Sequence, residues 1–211
     1  MQFRCGAAVA AVCLLISCAT YRPQLPGAIA RGTHEYVNDV AGIRIAFPKQ
    51  WDISTGPASG PKEFRPLFRT LQSPTTELLF IGMDSSKNAF VRCVAEAFDG
   101  GLDSYYTAVV RSSGAGINPL AADFYEGKGR KLVVWTYEVG SGGQASAFEE
   151  YIIDLGGTKC RLSFWTSPDL ISSYHAEFEK TARTACAGRE LATCEQAWAA
   201  KDSANVHRTL K

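Results

Sequence analysis

Three histidines are the first residues to consider for acid–base or metal chemistry, and their positions argue against both. His34 lies at the end of an N-terminal segment, His207 lies in the C-terminal tail, and His175 borders the apolar stripe of a predicted helix. None has a partner four residues away, as in the H-E-x-x-H helix of zinc hydrolases. We therefore predict no metal site and no cofactor, and a structural role for His175.

Serine and carboxylate residues also fail to make a catalytic pattern. Ser141 lies in Gly140-Ser141-Gly142, which predicts a turn between strands rather than the strand–turn–helix of a G-x-S-x-G nucleophile. Glu149, Glu150 and Asp154 fall on one predicted strand, whereas a glycosidase needs two carboxylates across a cleft. The sequence therefore favours a protein that is not an enzyme. The alternative is a hydrolase whose site is assembled from residues distant in sequence.

Cysteine is the remaining nucleophile or ligand type, and it points to disulfide chemistry. After the N-terminal cysteines, the chain has Cys93, Cys160, Cys186 and Cys194, with no C-x-x-C pair. That spacing supports neither a zinc ribbon nor a thioredoxin-type motif. In an exported protein an even set favours disulfides, with three possible connectivities.

Local geometry favours a Cys186–Cys194 disulfide, because a break at Gly188 would allow a helical hairpin to bring the two residues together. The rival pair is Cys160–Cys186. In that pair, a strand of about seven residues would lead away from Cys160 and a helix of about sixteen residues would return over nearly the same distance. The end of the helix would then lie beside the start of the strand. Another interpretation is that Cys93 and Cys160 are simply small buried strand residues.

One segment combines basic and aromatic residues. Lys62, Arg65 and Arg69 interleave with Phe64 and Phe68 within a proline-rich stretch that predicts a long loop over about residues 55–76. Such a loop could contact anionic headgroups, a cell-wall polymer or a protein partner. The competing interpretation is a solvated loop whose aromatic residues, such as Phe68, cover the edge of the core.

The N-terminus predicts the cellular location. Arg4 precedes an uncharged run from Cys5 to Ile16, which is too short to span a bilayer and has the length of a secretory signal. Leu15-Ile16-Ser17-Cys18 resembles the bacterial lipobox. The resemblance implies cleavage before Cys18, lipidation and palmitate-type acylation of Cys18, and stable membrane attachment through several chains. The alternative is an ordinary signal peptide with an incidental cysteine.

Ala19 follows the lipobox cysteine, where an aspartate would retain a lipoprotein in the inner membrane of double-membrane bacteria. The resemblance thus implies an outer-membrane lipoprotein that faces the periplasm. Lys and Arg number 22 against 21 Asp and Glu, for a net charge of +1. This balance argues against nucleic acid as a partner. The expected partners are the membrane, through Cys18, and an unidentified envelope protein or cell-wall component.

Alternation and helical periodicity define the elements that must position these residues. We predict strands over residues 43–47, 77–82, 90–98, 122–126, 131–139, 147–155 and 160–166. We predict helices from Asp103 to Ser112 and from a Ser167-Pro168 start to about Ala185. Trp51 is expected to fold back over the first strand into the core. This order predicts an α+β fold with a mostly antiparallel β-sheet flanked by helices.

The opening from Gly42 to Pro48, followed by Trp51, together with the closing Phe164-Trp165 strand and amphipathic helix, resembles the PsbP-like fold. That family includes an extrinsic photosystem II subunit, a Ran-binding protein and many bacterial lipoproteins. The resemblance covers about residues 34–187 and implies an α/β/α sandwich. It implies no single function, and the metal and photosystem contacts of the plant subunit find no matching residues here.

Together these patterns predict four segments: a signal peptide over residues 1–17, the lipidated cysteine and a tether over 18–33, a PsbP-like domain over 34–187, and a C-terminal helical extension over 188–211. The predicted function is that of a lipid-anchored envelope protein with a non-catalytic binding or scaffolding domain.

Overall fold

The structure, a computed structural model, describes residues 27–71, 73, 75–127, 130–140, 145–155, 157–187, 198–199 and 201–202. The predicted signal peptide, Cys18, Ser141 and Cys194 lie outside these residues. The end of the predicted tether lies inside them, because Ala28–Ile29 forms a short strand. A strand therefore lies within the predicted tether, before His34.

Strands are the commonest element of the described chain, and all the pairings between them are antiparallel. The strands are β1 (Ala28–Ile29), β2 (Glu35–Asn38), β3 (Ile43–Ala46), β4 (Trp51–Ser54), β5 (Thr76–Asp84), β6 (Ala89–Ala97), β7 (Ile117–Gly127), β8 (Arg130–Val139), β9 (Ser146–Asp154), β10 (Thr158–Thr166) and β11 (Cys186–Ala187). Within the described ranges they form a four-stranded sheet, β1-β2-β3-β11, and a seven-stranded sheet, β4-β5-β6-β10-β9-β8-β7.

The larger sheet consists of two meanders, β4 to β6 and β7 to β10, which meet where β10 pairs with β6. The helices are α1 (Arg65–Thr70), α2 (Leu102–Ser113) and α3 (Ile171–Arg183). Helix α2 connects the two meanders, and α3 follows β10. In the described part of the chain, no helix is long and apolar enough to cross a bilayer.

Antiparallel sheets with helices on both sides confirm the predicted α+β class. All seven predicted strands and helices α2 and α3 are present, the first strand in the small sheet and the other six in the larger sheet. Leu132–Trp135 is buried on both faces as expected for a covered strand. The sequence patterns missed β2 and β4, each of which is only four residues long. Gly42 has φ +70°, a left-handed conformation that favours glycine, and it turns the chain into β3.

Three local predictions were wrong. The stretch predicted as a long loop contains α1. The helix tolerates Pro66 because this residue lies in the first helical turn, where a backbone N–H has no intrahelical partner. Helix α3 begins at Ile171, not at Pro168, and the N-cap residue Leu170 makes no side-chain cap. Asp103 does not cap α2 either, since the N-cap residue is Gly101; Asp103 instead receives a hydrogen bond from Lys131.

The main core lies between the α3 face of the larger sheet and the layer formed by the small sheet and α3. Trp51 is 4% exposed, and its ring contacts those of Phe47, Phe164 and Phe178. Its indole N–H donates to Glu177 Oε1 at 2.7 Å. The prediction that Trp51 is a core residue is confirmed.

Candidate functional site

The opposite face of the larger sheet, which we call the α1/α2 face, carries two separate apolar clusters. One lies under α1 and joins Phe64 and Phe68 to Leu78, Ile81 and Val94. The other lies under α2 and centres on Trp135, Tyr106 and Ile152. Strand β10 runs between the strands that carry these clusters, so its residues on this face occupy the gap between them.

Polar residues fill this gap. Register pairs Arg92 of β6 with Ser163 of β10, and Ser163 with Glu150 of β9, so the three side chains lie side by side on one face. Arg161, two residues before Ser163, lies on the same face. We call Arg92, Glu150, Arg161 and Ser163 the polar strip.

Glu150 is the centre of the polar strip and is completely buried. Its Oε1 accepts from Arg161 Nε at 2.6 Å, and its Oε2 accepts from Ser163 Oγ at 2.9 Å and Tyr137 Oη at 3.0 Å. A weaker contact joins Arg161 Nη2 to Oε2 at 3.3 Å. A buried carboxylate is stable only when it is paired and hydrogen-bonded in this way.

The electrostatics favour the charged forms of this pair. Burial alone raises the pKa of Glu150, but the charge and hydrogen bonds of Arg161, with help from Arg92 and Ser163, hold the pKa below its ordinary value. Burial would lower the pKa of Arg161, and the facing Glu150 reverses that effect and raises it. Burial next to Glu150 also raises the pKa of Tyr137, which therefore remains a neutral donor.

Arg92 differs from the other members of the polar strip because its side chain makes no hydrogen bond to a described residue. Its guanidinium lies 5.9 Å from the ring centroid of Trp165, yet its buried Nε has no hydrogen-bond partner among the described residues. Two further buried donors on this face, Trp135 Nε1 and Tyr106 Oη, are also unpartnered there. Unsatisfied buried donors are uncommon in folded proteins, and three of them lie on this face.

An aromatic row borders the polar strip. It consists of Phe90, Trp165, Phe148 and Tyr137, one residue from each of four adjacent strands. Neighbouring rings are stacked with interplanar angles of 15°, 19° and 3° and centroid separations of 5.4, 5.7 and 4.9 Å. Tyr137 is buried, whereas Phe90, Trp165 and Phe148 are only half-buried. The row therefore offers partly exposed aromatic surface beside a guanidinium that forms no ion pair or hydrogen bond with a described residue.

The α3 face holds a second polar group, around Glu149. This carboxylate is 2% exposed, lies 2.8 Å from His175 Nδ1 and also accepts from the Tyr151 hydroxyl. The other nitrogen, His175 Nε2, lies 3.6 Å from Glu179, so both imidazole nitrogens face carboxylates. A histidine held this way resembles the oriented base of a catalytic pair, but its second nitrogen faces an acid and not a nucleophile.

Glu149 and Glu150 thus lie on opposite faces of the sheet, as the alternation of a strand requires. They do not converge, so the first requirement of a two-carboxylate glycosidase site is not met by this pair. Across the described residues, no group of three or more His, Cys, Asp or Glu side chains is placed to hold a metal ion.

The predicted partner-binding segment includes helix α1, and its residues fall into a buried group and an exposed group. Phe68 is 2% exposed and belongs to the cluster under α1, so it is part of the core. Lys62 and Arg65 are exposed, and nothing is described of the Arg69 side chain. A role for the three basic residues in binding a partner stays a prediction.

The four cysteines are only partly described. Cys93 and Cys160 are buried free thiols on the α3 face, with their sulfurs 3.2 Å apart. They are not directly opposite in the sheet, since Cys93 pairs with Leu162 and Cys160 pairs with Ala95. The backbone of Cys186, in β11, pairs with that of Arg44 in β3. Because the Cys186 side chain and Cys194 lie outside what is described, both proposed disulfides stay predictions.

Comparisons with known proteins identify the fold. No family model matches the chain, and neither does any curated protein sequence. The structure is similar to that of CyanoP, the cyanobacterial PsbP of Synechocystis, with a TM-score of 0.53 and 13% identity over 72% of this chain and 91% of that chain. The described domain therefore has a PsbP-like fold, as the resemblance in sequence predicted.

Two other solved structures show weaker similarity. A protein from Bacteroides thetaiotaomicron gives a TM-score of 0.46 at 12% identity, over 75% of this chain and 49% of that chain. A protein of unknown function from Pseudomonas aeruginosa gives a TM-score of 0.38 at 12% identity, over 67% of this chain and 88% of that chain.

Proposed function

We propose that this chain is a lipid-anchored protein of the cell envelope whose PsbP-like domain binds another envelope component and catalyses no reaction. Support for the anchor comes from the lipobox-like Leu15–Cys18 after a short apolar run. Support for binding comes from the α1/α2 face. There, the buried Nε of Arg92 has no partner among the described residues, and three rings of the aromatic row are only half-buried.

The aromatic row beside Arg92 is the observation that carries the proposal. Arginine and large aromatic residues dominate the binding energy of protein interfaces and ligand sites. Here they stand on adjacent strands of a rigid sheet, so binding would require little rearrangement of the backbone.

An envelope hydrolase is the second candidate, and one observation favours it. His175 is held by the buried Glu149 while its own side chain is 56% exposed, as an oriented general base would be. The approach of Glu179 to its second nitrogen weighs against this candidate, because no described hydroxyl or thiol takes that place.

The test is in-cell crosslinking followed by detergent extraction and affinity purification of the full chain. We expect a specific envelope component to be captured by the wild type, and capture to fall when Trp165 is replaced by Ala. The matched control is Trp51→Phe, which alters a buried tryptophan on the other face. No captured component, together with turnover on an ester or glycan panel that His175→Gln abolishes, would replace the binding function with the hydrolase.

A further inference from the structure

We propose that Arg92 and the aromatic row form a binding site for a small organic monocarboxylate with an aromatic body. This inference rests on the proposed binding function and names the ligand class and the residues for it. The carboxylate would take the free donors of Arg92, and the body would lie against Phe90, Trp165 and Phe148.

The first step is the distribution of donors within the polar strip. Glu150 accepts from Arg161, Ser163 and Tyr137, so its oxygens are already occupied by protein donors. Arg161 is in turn committed to Glu150, with Glu96 3.9 Å from its other nitrogen. The Arg92 side chain makes no hydrogen bond to a described residue, and because its Nε is buried, the outer nitrogens of its planar guanidinium are the ones that would meet a carboxylate in bidentate geometry.

The second step concerns the charge of the ligand. Arg161 has two carboxylates near it, Glu150 and Glu96, whereas Arg92 forms no ion pair with a described residue. A single carboxylate would pair with Arg92, whereas a dianionic phosphate would place its second charge near the buried Glu150. Since like charges repel strongly where water is excluded, the polar strip selects a monoanion.

The third step concerns the body of the ligand. Because the rings of the aromatic row are stacked on one another across the strands, their faces are occupied and their edges remain for contact. Ring edges carry partial positive charge and attract the face of another ring, which favours an aromatic body over an aliphatic one.

The experiment is isothermal titration of the full chain, purified in detergent, with 3-phenylpropionate and its neutral isostere 3-phenylpropanamide. We expect the wild type to bind the acid about tenfold more tightly than the amide, since a charge-assisted hydrogen bond contributes at least that much. Arg92→Gln should weaken binding of the acid by about the same factor. Arg111→Gln, the same change at an exposed site on α2, should leave binding within about twofold.

A second measurement covers the case in which Arg92→Gln fails to fold. In the wild type, the ¹H–¹⁵N signal of the Arg92 Nε–H should shift when the acid is added and stay in place when the amide is added. The inference is overturned by equal binding of acid and amide, by no binding of either, or by an unmoved Arg92 signal.

The two proposals can fail separately. If no carboxylate binds but crosslinking still captures an envelope component through Trp165, the proposed function stands and the ligand class is wrong. If 3-phenylpropionate binds at Arg92 while the chain hydrolyses a member of the ester or glycan panel, the site is correct and the non-catalytic function is wrong.

Discussion

Arg161 and Glu150 form an ion pair on adjacent strands, with Arg161 Nε 2.6 Å from Glu150 Oε1 and the carboxylate completely buried. The pair lies on the α1/α2 face, between the apolar cluster under α1 and the apolar cluster under α2. A buried pair of this kind adds little net stability compared with apolar packing, but removing one partner leaves an uncompensated charge. Its presence therefore defines the polar gap in which we place the candidate site.

The first prediction concerns this pair. Glu150→Gln removes the nearest ionic partner of Arg161 and leaves it only Glu96, 3.9 Å away, so it should lower the free energy of unfolding by about 3 kcal/mol at pH 7. The folded pKa of Glu150 lies below its ordinary value of 4.5, so the stabilisation is present above that value and is lost as the pH falls through the folded pKa. Denaturant titrations from pH 7 to pH 3 should show the difference between wild type and variant shrinking below about pH 4.5.

Glu63→Gln provides the matched control, because Glu63 is exposed and should change stability by less than about 0.5 kcal/mol. A difference between wild type and Glu150→Gln that stays constant down to pH 3 would show that the Glu150 charge is not what stabilises the fold.

The second prediction concerns Trp51. Trp51→Ala removes a 4%-exposed indole that contacts three aromatic rings, and should lower the free energy of unfolding by about 3–5 kcal/mol. Trp51→Phe keeps much of the ring packing but loses the hydrogen bond to Glu177, so it should cost less. Thermal melts measure both. Leu120→Ala, at a side chain that is 52% exposed, should leave the melting temperature almost unchanged.

These two residues show what the sequence could and could not predict. Trp51 was placed in the core from its position after an alternating strand and Pro48, and local pattern was sufficient. The pairing of Glu150 with Arg161 was not predictable, because it depends on the register between β9 and β10. A shift of one residue in that register would have turned Glu150 to the other face.

The same reason explains the candidate site as a whole. Arg92 and Trp165 come from strands that are distant in sequence and become neighbours only because β10 inserts beside β6. Sequence analysis instead selected Lys62, Arg65, Phe68 and Arg69, which are close in sequence. The available signal was the presence of Arg92, Glu150 and Arg161 inside predicted strands, and only the register brings them onto one face.

The third prediction concerns the membrane anchor. Cys18→Ser should prevent lipidation, leave the precursor uncleaved and move the protein from the detergent phase to the aqueous phase. Intact-mass measurement and phase partitioning check this. Cys13→Ser, which alters the apolar run but not the lipobox, is the control and should behave as wild type. An unchanged mature mass in Cys18→Ser would rule out the lipoprotein hypothesis.

The fourth prediction concerns the cysteines. Non-reducing peptide mapping should recover Cys186 linked to Cys194. Burial raises the pKa of the Cys93 thiol well above its ordinary value, so Cys93 should stay protonated and resist alkylation in the folded protein. In denaturant, Cys93 and Cys160 should both react rapidly. A Cys160–Cys186 peptide would refute the preferred pairing, and rapid labelling of Cys93 in the native state would refute its burial.

The fifth prediction concerns Trp198, which is buried among the few described residues of the C-terminal extension. Trp198 is 5% exposed, its ring lies 5.6 Å from that of Tyr151, and the Arg183 guanidinium lies 4.8 Å from its centroid. These contacts hold Trp198 against the α3 face beside Glu149. Trp198→Ala should therefore lower the free energy of unfolding by about 3 kcal/mol.

A matched change in the same contact tests whether packing or charge holds the extension. Asp202→Asn removes one carboxylate that pairs with Arg183, whose Nη2 lies 2.5 Å from Asp202 Oδ1. Because Asp202 is mostly exposed, the free energy of unfolding should fall by less than about 1 kcal/mol. Thermal melts and limited proteolysis of both variants measure the difference. Trp198→Ala should melt earlier and be cleaved near its C-terminus, whereas Asp202→Asn should resemble wild type. Equal effects of the two substitutions would mean that the ion pair, and not the buried indole, holds the extension in place.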